Sequence, residues 1–328
     1  MKKILAVFLT AGLCFLAFSL VGYTAPEKKH FEDVTIRFFC GGDPGDAFAS
    51  IVYKGAMDAQ RDLGCKVDYV FSGWNVEKMM SQFRDAIAAR PDGIAMMGHP
   101  GDEALMSLVE EARKAGILVT FQNVDCPKIR KKYGGGYAGA NLTVQGRQLG
   151  EYAIRYLGLK KGDRALVFGA WGQPGRYYRE EATAKAFEEA GLIVDRIVSK
   201  PEWAADPQAA IPTVTGYVQA HPDVKVIVWP GGQHLAAVPT YMEALGKKPR
   251  EIYNIGFDLN PAVIKAFETG YVQITADQLP YLQGYLPILN LCFMIKYKMP
   301  GLYIDTGAGI VDETNYKAVA DLVEKGVR

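Results

Sequence analysis

The chain has 328 residues, 49% hydrophobic and 22% charged, which is too apolar for a disordered chain and long enough to bury a large core in two folded units. Its formal net charge is +1 and its Lys and Arg residues are scattered, so the basic face or stripe needed for nucleic acid is missing and no polyanionic partner is expected. Beyond the first 25 residues the cysteines are Cys40, Cys65, Cys126 and Cys292, with no Cys-x-x-Cys and no histidine pair nearby; no metal site is predicted, and four buried or isolated thiols are expected.

Residues 1–25 carry Lys2-Lys3, an apolar run from Ile4 to Val21 and then Gly22-Tyr23-Thr24-Ala25, the charged, apolar and short polar regions of a secretory signal. The mature protein is therefore expected outside the cytoplasm, in the periplasm or on the cell-envelope exterior. The alternative is a membrane-anchoring helix, because the apolar run approaches spanning length; the small flanking residues favour cleavage.

From Val34 onward short apolar runs alternate with longer amphipathic ones. Strands are predicted at 35–40, 66–71, 93–97 and 118–121, with helices near 47–63, 76–89 and 102–115 between them. Such repeated crossovers give a parallel sheet with helices on both faces. The segment 125–137 reads as a polar, glycine-rich connection. A second series follows, with helices near 144–157, 179–190, 209–220 and 235–245 and strands at 164–168, 192–198, 224–229 and 252–257. One more strand, 272–276, and a helix at 282–297 lead to Asp305-Thr306-Gly307. The fold class is α/β: two Rossmann-like lobes with parallel sheets, joined by a hinge the chain crosses about three times. Residues 33–139 with 279–305 are assigned to lobe I, and 140–278 with 306–328 to lobe II.

In open parallel sheets the ligand crevice lies beyond the carboxyl ends of the strands. Residues at or just past those ends are Asp46, Phe48, Trp74, His99, Asn123 and Asp125 in the first lobe, and Trp171, Gln173, Arg176, Arg179, Trp203, Gln233, Phe257, Asp258 and Gln278 in the second. All are candidate ligand-binding residues. Flat aromatic faces suit the C–H faces of a sugar ring, and Asp, Asn, Gln and Arg pair with its hydroxyls, so the set reads as a pocket for a neutral polyol. Each has a plainer alternative: tryptophans after strands often pack in the core, Asp46 can cap a helix, and His99 can be a solvated loop residue. Asp258 and Gln278 close successive strands and converge.

Catalytic and nucleotide motifs are missing. Gly134-Gly135-Gly136-Tyr137-Ala138-Gly139 fits G-x-G-x-x-G, but Lys131-Lys132-Tyr133 precede it where a strand is required. There is no P-loop, no G-x-S-x-G elbow and no H-E-x-x-H. No enzyme and no cofactor are predicted.

With these residues in view, the chain resembles the exported sugar-binding proteins of ABC importers, of the ribose-binding type, which share their fold with LacI-type sensor domains. The resemblance runs through Phe48 with Gly55-Ala56, Pro91-Asp92-Gly93-Ile94, Asn123, Ala220-His221-Pro222-Asp223-Val224, Ile255-Gly256-Phe257-Asp258, Gly270, Gln278-Leu279-Pro280 and Asp305-Thr306-Gly307. It implies a ligand clamped between closing lobes, with Phe48, Asn123, Trp203, Asp258 and Gln278 at family binding positions. Gly98 and Gly231 stand where sugar binders often carry asparagine, and Thr183 where an arginine is expected; Arg179 or Arg176 would substitute from the preceding turn. The expected function is capture of a monosaccharide or polyol and its delivery to an ABC permease, with a chemoreceptor as a further partner and the protein a monomer. The alternatives are a non-sugar ligand on the same fold, such as a furanosyl quorum signal or a nucleoside, and a Rossmann-type enzyme.

Overall fold

Short apolar runs separated by amphipathic helices leave the strands nowhere to go but the middle of a layered sandwich. The computed structural model describes residues 30–171, 177–200, 202–307 and 309–328; the predicted signal, 1–25, lies outside the described residues. In chain order the strands are β1 (Thr35–Gly41), β2 (Lys66–Phe71), β3 (Gly93–Met97), β4 (Leu118–Gln122), β5 (Tyr137–Gly139), β6 (Arg164–Gly169), β7 (Ile193–Val198), β8 (Val224–Trp229), β9 (Tyr253–Phe257), β10 (Ile274–Asp277), β11 (Tyr303–Asp305) and β12 (Gly309–Asp312).

They form two six-stranded sheets, β11-β5-β4-β3-β1-β2 and β12-β10-β9-β8-β6-β7. All pairings are parallel except β10 with β12. The two orders repeat one pattern, each with an added edge strand from the chain's last crossing. In each sheet the order reverses beside the first strand, between β1 and β3 and between β6 and β8, where crevices open at the carboxyl ends. Every residue of β3, Gly-Ile-Ala-Met-Met, is buried, as a central strand covered on both faces must be, whereas no residue of the edge strand β2 is fully buried.

The helix Ala47–Leu63 and the helix Pro280–Tyr297 pack against each other over the first sheet. Gly55 and Gly284 permit their close crossing: a β-carbon at Gly55 would lie 2.0 Å from Tyr281 O, and one at Gly284 1.9 Å from Val52 O. The first lobe has one apolar core that includes Phe38, Phe39, Phe83, Met96 and Leu291. The second has two, one around Trp229, Tyr241 and Phe267 and one around Val167, Phe187 and Phe257.

Three local differences from the predicted elements have physical causes. The stretch read as a connection, 125–137, contains the helix Pro127–Tyr133, started by a proline in its first turn, and then the short strand β5. The predicted helix 235–245 is two helices, Gly232–Ala236 and Val238–Ala244, because Pro239 cannot continue the first. The two last-crossing strands, β11 and β12, are short, and β11 is half exposed, so neither shows a clear apolar pattern in sequence.

Candidate functional site

Asp258 follows β9 with φ at +73°, Asn123 follows β4 with φ at +64° and Leu279 follows Gln278 with φ at +52°. Left-handed backbone at three adjacent strand ends is a strained arrangement of the kind found where side chains must be aimed. Gln278 Nε2 donates to Asp258 Oδ1 at 2.6 Å, and Arg179 Nη1 reaches the same oxygen at 3.4 Å. Asn123 Nδ2 donates to Gln278 Oε1 at 3.3 Å and to Gln283 Oε1 at 3.0 Å. One continuous polar chain thus runs from Arg179 through Asp258 and Gln278 to Asn123, from the second sheet to the first.

Arg179 is 3% exposed. Its Nη2 donates to Pro230 O at 2.6 Å, its Nε to Glu180 Oε1 at 3.5 Å, and its guanidinium lies 4.5 Å over the Phe257 ring. Burial alone would lower its pKa, but the Asp258 and Glu180 carboxylates outweigh burial and raise it, so it is a fixed cation. At the position one turn later, Thr183 Oγ1 bonds Gly146 O and Arg179 O and does not enter the cleft. Asp258 keeps about a fifth of its side chain exposed, and its Oδ2 takes none of these bonds; it faces Gly231, where a β-carbon would stand 3.5 Å away.

Gln283, fully buried, holds the crossings together. Its Nε2 donates to Gln278 O at 2.9 Å and to Thr306 Oγ1 at 3.2 Å, while Thr306 Oγ1 donates to Gln278 O at 2.8 Å. Thr306 N donates to Gly139 O and Asp305 Oδ1 accepts from Asn141 N, so all three inter-sheet passages meet within hydrogen-bond reach. Sequence reading missed Gln283 and Thr306; the usable signal was an amide in the first turn of a mostly apolar helix.

A cavity of about 30 Å³ lies between the sheets, lined by Ala47, Phe48 and Ile51 from the first lobe, by Gly232, Gln233, Asp258, Leu259 and Asn260 from the second, and by Gln278 and Pro280. That is room for about one water molecule. Of the sequence candidates, Phe48, Gln233, Asp258 and Gln278 line it, and Asn123 and Arg179 join it through hydrogen bonds.

Next to Phe48 stands an aromatic group from the first lobe. Trp74 lies 5.9 Å from Phe48 and 5.2 Å from His99, centroid to centroid, and its Nε1 donates to Asp46 Oδ2 at 3.1 Å. Asp46 also caps the helix Ala47–Leu63, accepting from Phe48 N and Ala49 N, so its carboxylate is occupied with structure. Gly41 at φ +91° makes the space: a β-carbon there would stand 2.4 Å from Trp74 Cζ3.

The other candidates are elsewhere. Asp125 is held bidentately by Arg130 at 2.6 and 2.8 Å, an ion pair beside Tyr303 that spends the carboxylate on fixing the loop. Trp203, 4% exposed, packs edge-on to Phe168 in the second lobe's core, and Phe257, fully buried, serves as the surface under Arg179; neither lines the cavity. Trp171 donates to Ile197 O at 2.9 Å and carries Arg196 over its ring at 5.5 Å, toward the edge strand β7. Gln173 and Arg176 lie outside the described residues. Gly98, where an asparagine was the comparison, has no room for any side chain, since a β-carbon would fall 1.9 Å from Val124 O.

Among the described residues no group of His, Cys, Asp and Glu could hold a metal ion, and no helix is long and apolar enough to cross a membrane. The arrangement offers one fixed cation, one partly exposed carboxylate and several amides around a small cleft, which is equipment for holding hydroxyls.

Comparison with known proteins agrees with this architecture. Residues 38–298 match the family described as the periplasmic binding protein domain. A xylose/arabinose-binding protein of Sulfolobus acidocaldarius is 27% identical over an alignment of 275 residues that covers 80% of this chain and 67% of that protein. A carbohydrate transporter of Acidothermus cellulolyticus, solved in complex with myo-inositol, matches with a TM-score of 0.76 at 25% identity, over 90% of this chain and 99% of that one. An ABC transporter solute-binding protein of Burkholderia graminis, solved with D-arabinose, shares the fold with a TM-score of 0.75 at 23% identity, over 86% and 96% of the two chains. With two mostly parallel sheets facing one polar cleft and a family match over most of its length, the chain belongs to the periplasmic binding protein domain family.

Proposed function

We propose that this protein is an extracytoplasmic solute-binding protein that captures a monosaccharide or polyol between its lobes and delivers it to an ABC permease. No bond is made or broken. The observation that carries the reading is the Arg179–Asp258–Gln278–Asn123 chain at the mouth of the cleft, whose Asp258 Oδ2 is left to accept a ligand hydroxyl. Phe48 supplies an apolar face on the opposite lobe. The named ligands of the relatives, xylose or arabinose, myo-inositol and D-arabinose, support a small neutral carbohydrate as the class.

A cavity of about 30 Å³ is far smaller than a sugar ring, so the ligand enters only when the lobes part at the three crossings. Closure over the ligand then presents both lobes to the permease in one fixed relation, and the occupied form is the one it reads. Residues 33–139 with 279–305 move as one lobe and 140–278 with 306–328 as the other, each chain acting as a monomer. Export through the signal at 1–25 places the protein in the periplasm or on the envelope exterior; the same closed surface is what a chemoreceptor would recognise.

Thermal unfolding against pentoses, hexoses, polyols and nucleosides tests the reading. A ligand at a hundredfold excess over its Kd adds about 2.7 kcal/mol, a rise of a few degrees in Tm. A rise with one sugar or polyol, lost in Asp258→Ala, is the expected result. No rise with any carbohydrate, and one with a nucleoside, would overturn the carbohydrate assignment.

A further inference from the structure

Cys40, Cys65, Cys126 and Cys292 are buried free thiols, as their spacing suggested, and the cleft uses none of them. A buried carboxylate beside the cleft is also unused by it. Asp277 ends β10, one residue before Gln278, and is fully buried. A carboxylate taken wholly out of water persists only where it is paired and its oxygens are satisfied.

Both oxygens of Asp277 are satisfied. Oδ1 accepts from Leu279 N at 2.9 Å, and Oδ2 accepts from Arg328 Nε at 3.0 Å. Arg328 comes from beyond the helix Tyr316–Glu324. Where β10 pairs with β12, Asp277 stands opposite Gly309; a β-carbon there would lie 3.1 Å from Asp277 O and 3.7 Å from Arg328 Nη2. The guanidinium thus lies against β12 at its one residue without a side chain. Burial raises the Asp277 pKa, Arg328 opposes this, and Asp258 at the end of the adjacent β9 adds to the rise.

What the pair holds is the turn out of β10. Leu279 is left-handed, with φ +52° and ψ +62°, a conformation a leucine keeps only where its surroundings fix it. Its N–H is the one that Asp277 holds, and its carbonyl accepts from Leu282 N at 3.0 Å and Gln283 N at 3.4 Å, which starts the helix Pro280–Tyr297. Between Asp277 and Leu279 stands Gln278, whose side-chain amide donates to Asp258 Oδ1 and accepts from Asn123 Nδ2. A change of backbone at Leu279 would re-aim it.

We propose that Arg328 and Asp277 are positioning residues for the capture site: the guanidinium holds the buried carboxylate, the carboxylate holds Leu279 N, and Gln278 is thereby kept aimed at Asp258 and Asn123. The inference rests on the capture reading only for what Gln278 is aimed to hold. Both residues belong to the second lobe, so the clamp stays shut when the lobes part and the amide is already in place when a hydroxyl arrives.

The experiment compares the full chain at neutral pH with Arg328→Gln, with Arg328→Lys, and with a double variant that adds Asp277→Asn to Arg328→Gln. In the double variant an amide oxygen still accepts from Leu279 N, and no buried charge is left to neutralise. Without sugar, NMR follows hydrogen exchange at the Leu279 amide and the side-chain amide protons of Gln278, identified by their loss in Gln278→Leu. Arg328→Gln should exchange Leu279 roughly tenfold faster while the amides of β8 keep their rates, and should bring the Gln278 proton pair toward the positions of a free amide. Arg328→Lys and the double variant should recover most of both signals. In calorimetric titrations with D-xylose, D-arabinose and myo-inositol, Arg328→Gln should bind roughly tenfold more weakly than wild type whichever of them wild type binds, and the double variant should recover. Unaltered Leu279 and Gln278 signals in Arg328→Gln, or the same loss in the double variant as in the single one, overturn the positioning role. An unchanged Kd beside altered signals overturns its bearing on capture. If Arg328→Gln does not fold, a double variant that folds with wild-type signals supports the clamp, and one that also fails overturns it. Wild type that binds none of these compounds counts against the capture reading, and the Gln278 signals still decide the clamp.

Discussion

Acidification should destabilise this protein through a residue that touches no ligand. His234 lies in the short helix Gly232–Ala236 behind the cleft, 5% exposed, its ring nearly parallel to Trp229 with centroids 6.3 Å apart. Its bonds fix its tautomer. Tyr241 donates its only hydroxyl proton to Pro207 O at 2.7 Å, so its oxygen accepts from His234 Nδ1–H at 3.2 Å. That leaves Nε2 to accept from Ser199 Oγ–H at 3.3 Å. Burial penalises the imidazolium and pushes the pKa down from 6.5 to about 4.

The unfolded chain therefore takes up this proton near pH 6.5 and the folded chain only near pH 4. The group's contribution is complete above the unfolded value and is lost as pH falls through the window between the two. At about 1.36 kcal/mol for each pH unit of that gap, the loss is about 3 kcal/mol. Asp277 runs in the opposite direction, since burial raises its pKa and acid favours its folded form, so a single pH profile mixes signs. Urea unfolding of wild type and His234→Asn at about pH 7.5, 6, 5 and 4 separates them. Asparagine keeps a donor near the Nδ1 position and cannot titrate. Between the extremes, wild type should lose about 3 kcal/mol more than the variant. Parallel profiles would refute the argument.

Three other outcomes follow from distances already given. Asp258→Asn removes the charged acceptor and should weaken the carbohydrate identified by thermal shift by roughly 1.5 to 3 kcal/mol, about ten- to 150-fold in Kd by calorimetry; an unchanged Kd takes Asp258 out of the site. Gly284→Ala would gain about 1 kcal/mol in an exposed helix, but here the added carbon overlaps Val52 O, and a net loss of roughly 2 kcal/mol in urea is expected; an unchanged or higher midpoint would mean the helices can separate. Gln283→Leu leaves Asn123 and Thr306 each short of a partner in a dry interior and should cost about 1 to 3 kcal/mol, read from the same urea curves; no loss would show that the crossings do not depend on that amide.

The central elements could be read because burial on both faces makes a strand continuously apolar, as in β3, or nearly so, as in β8 with its one Lys225, and the intervening helices keep their 3.6-residue period. What could not be read were elements too short for a period. β5, β11 and β12 have three or four residues each, and they are strands only because a neighbouring strand accepts them. The site divides the same way. Asp258 and Gln278 were legible because a strand end fixes where a side chain emerges. Trp203 and Phe257 also follow or close such segments, yet their orientation depends on what Phe168 and Arg179 occupy, which no local pattern records. Asp125 was indistinguishable from a ligand residue until Arg130, one helical turn onward, was seen to hold it.

The close crossing at Gly55 and Gly284 joins parts of the chain that are far apart in sequence, and this sets an order of assembly. A ribosome emits β1 to β5 first, then all of β6 to β10, and only afterwards the helix Pro280–Tyr297 that covers β1, β3 and β4. The lobe begun first therefore stays unfinished until after β10 has been made, and until that helix emerges Val52, Ala56 and Ile94 have no lid. Its contacts are long-range ones that nucleate slowly. A polypeptide whose first lobe cannot close before its final stretch exists stays open to threading and to chaperone holdases for nearly its whole synthesis, which is the state a translocation channel accepts.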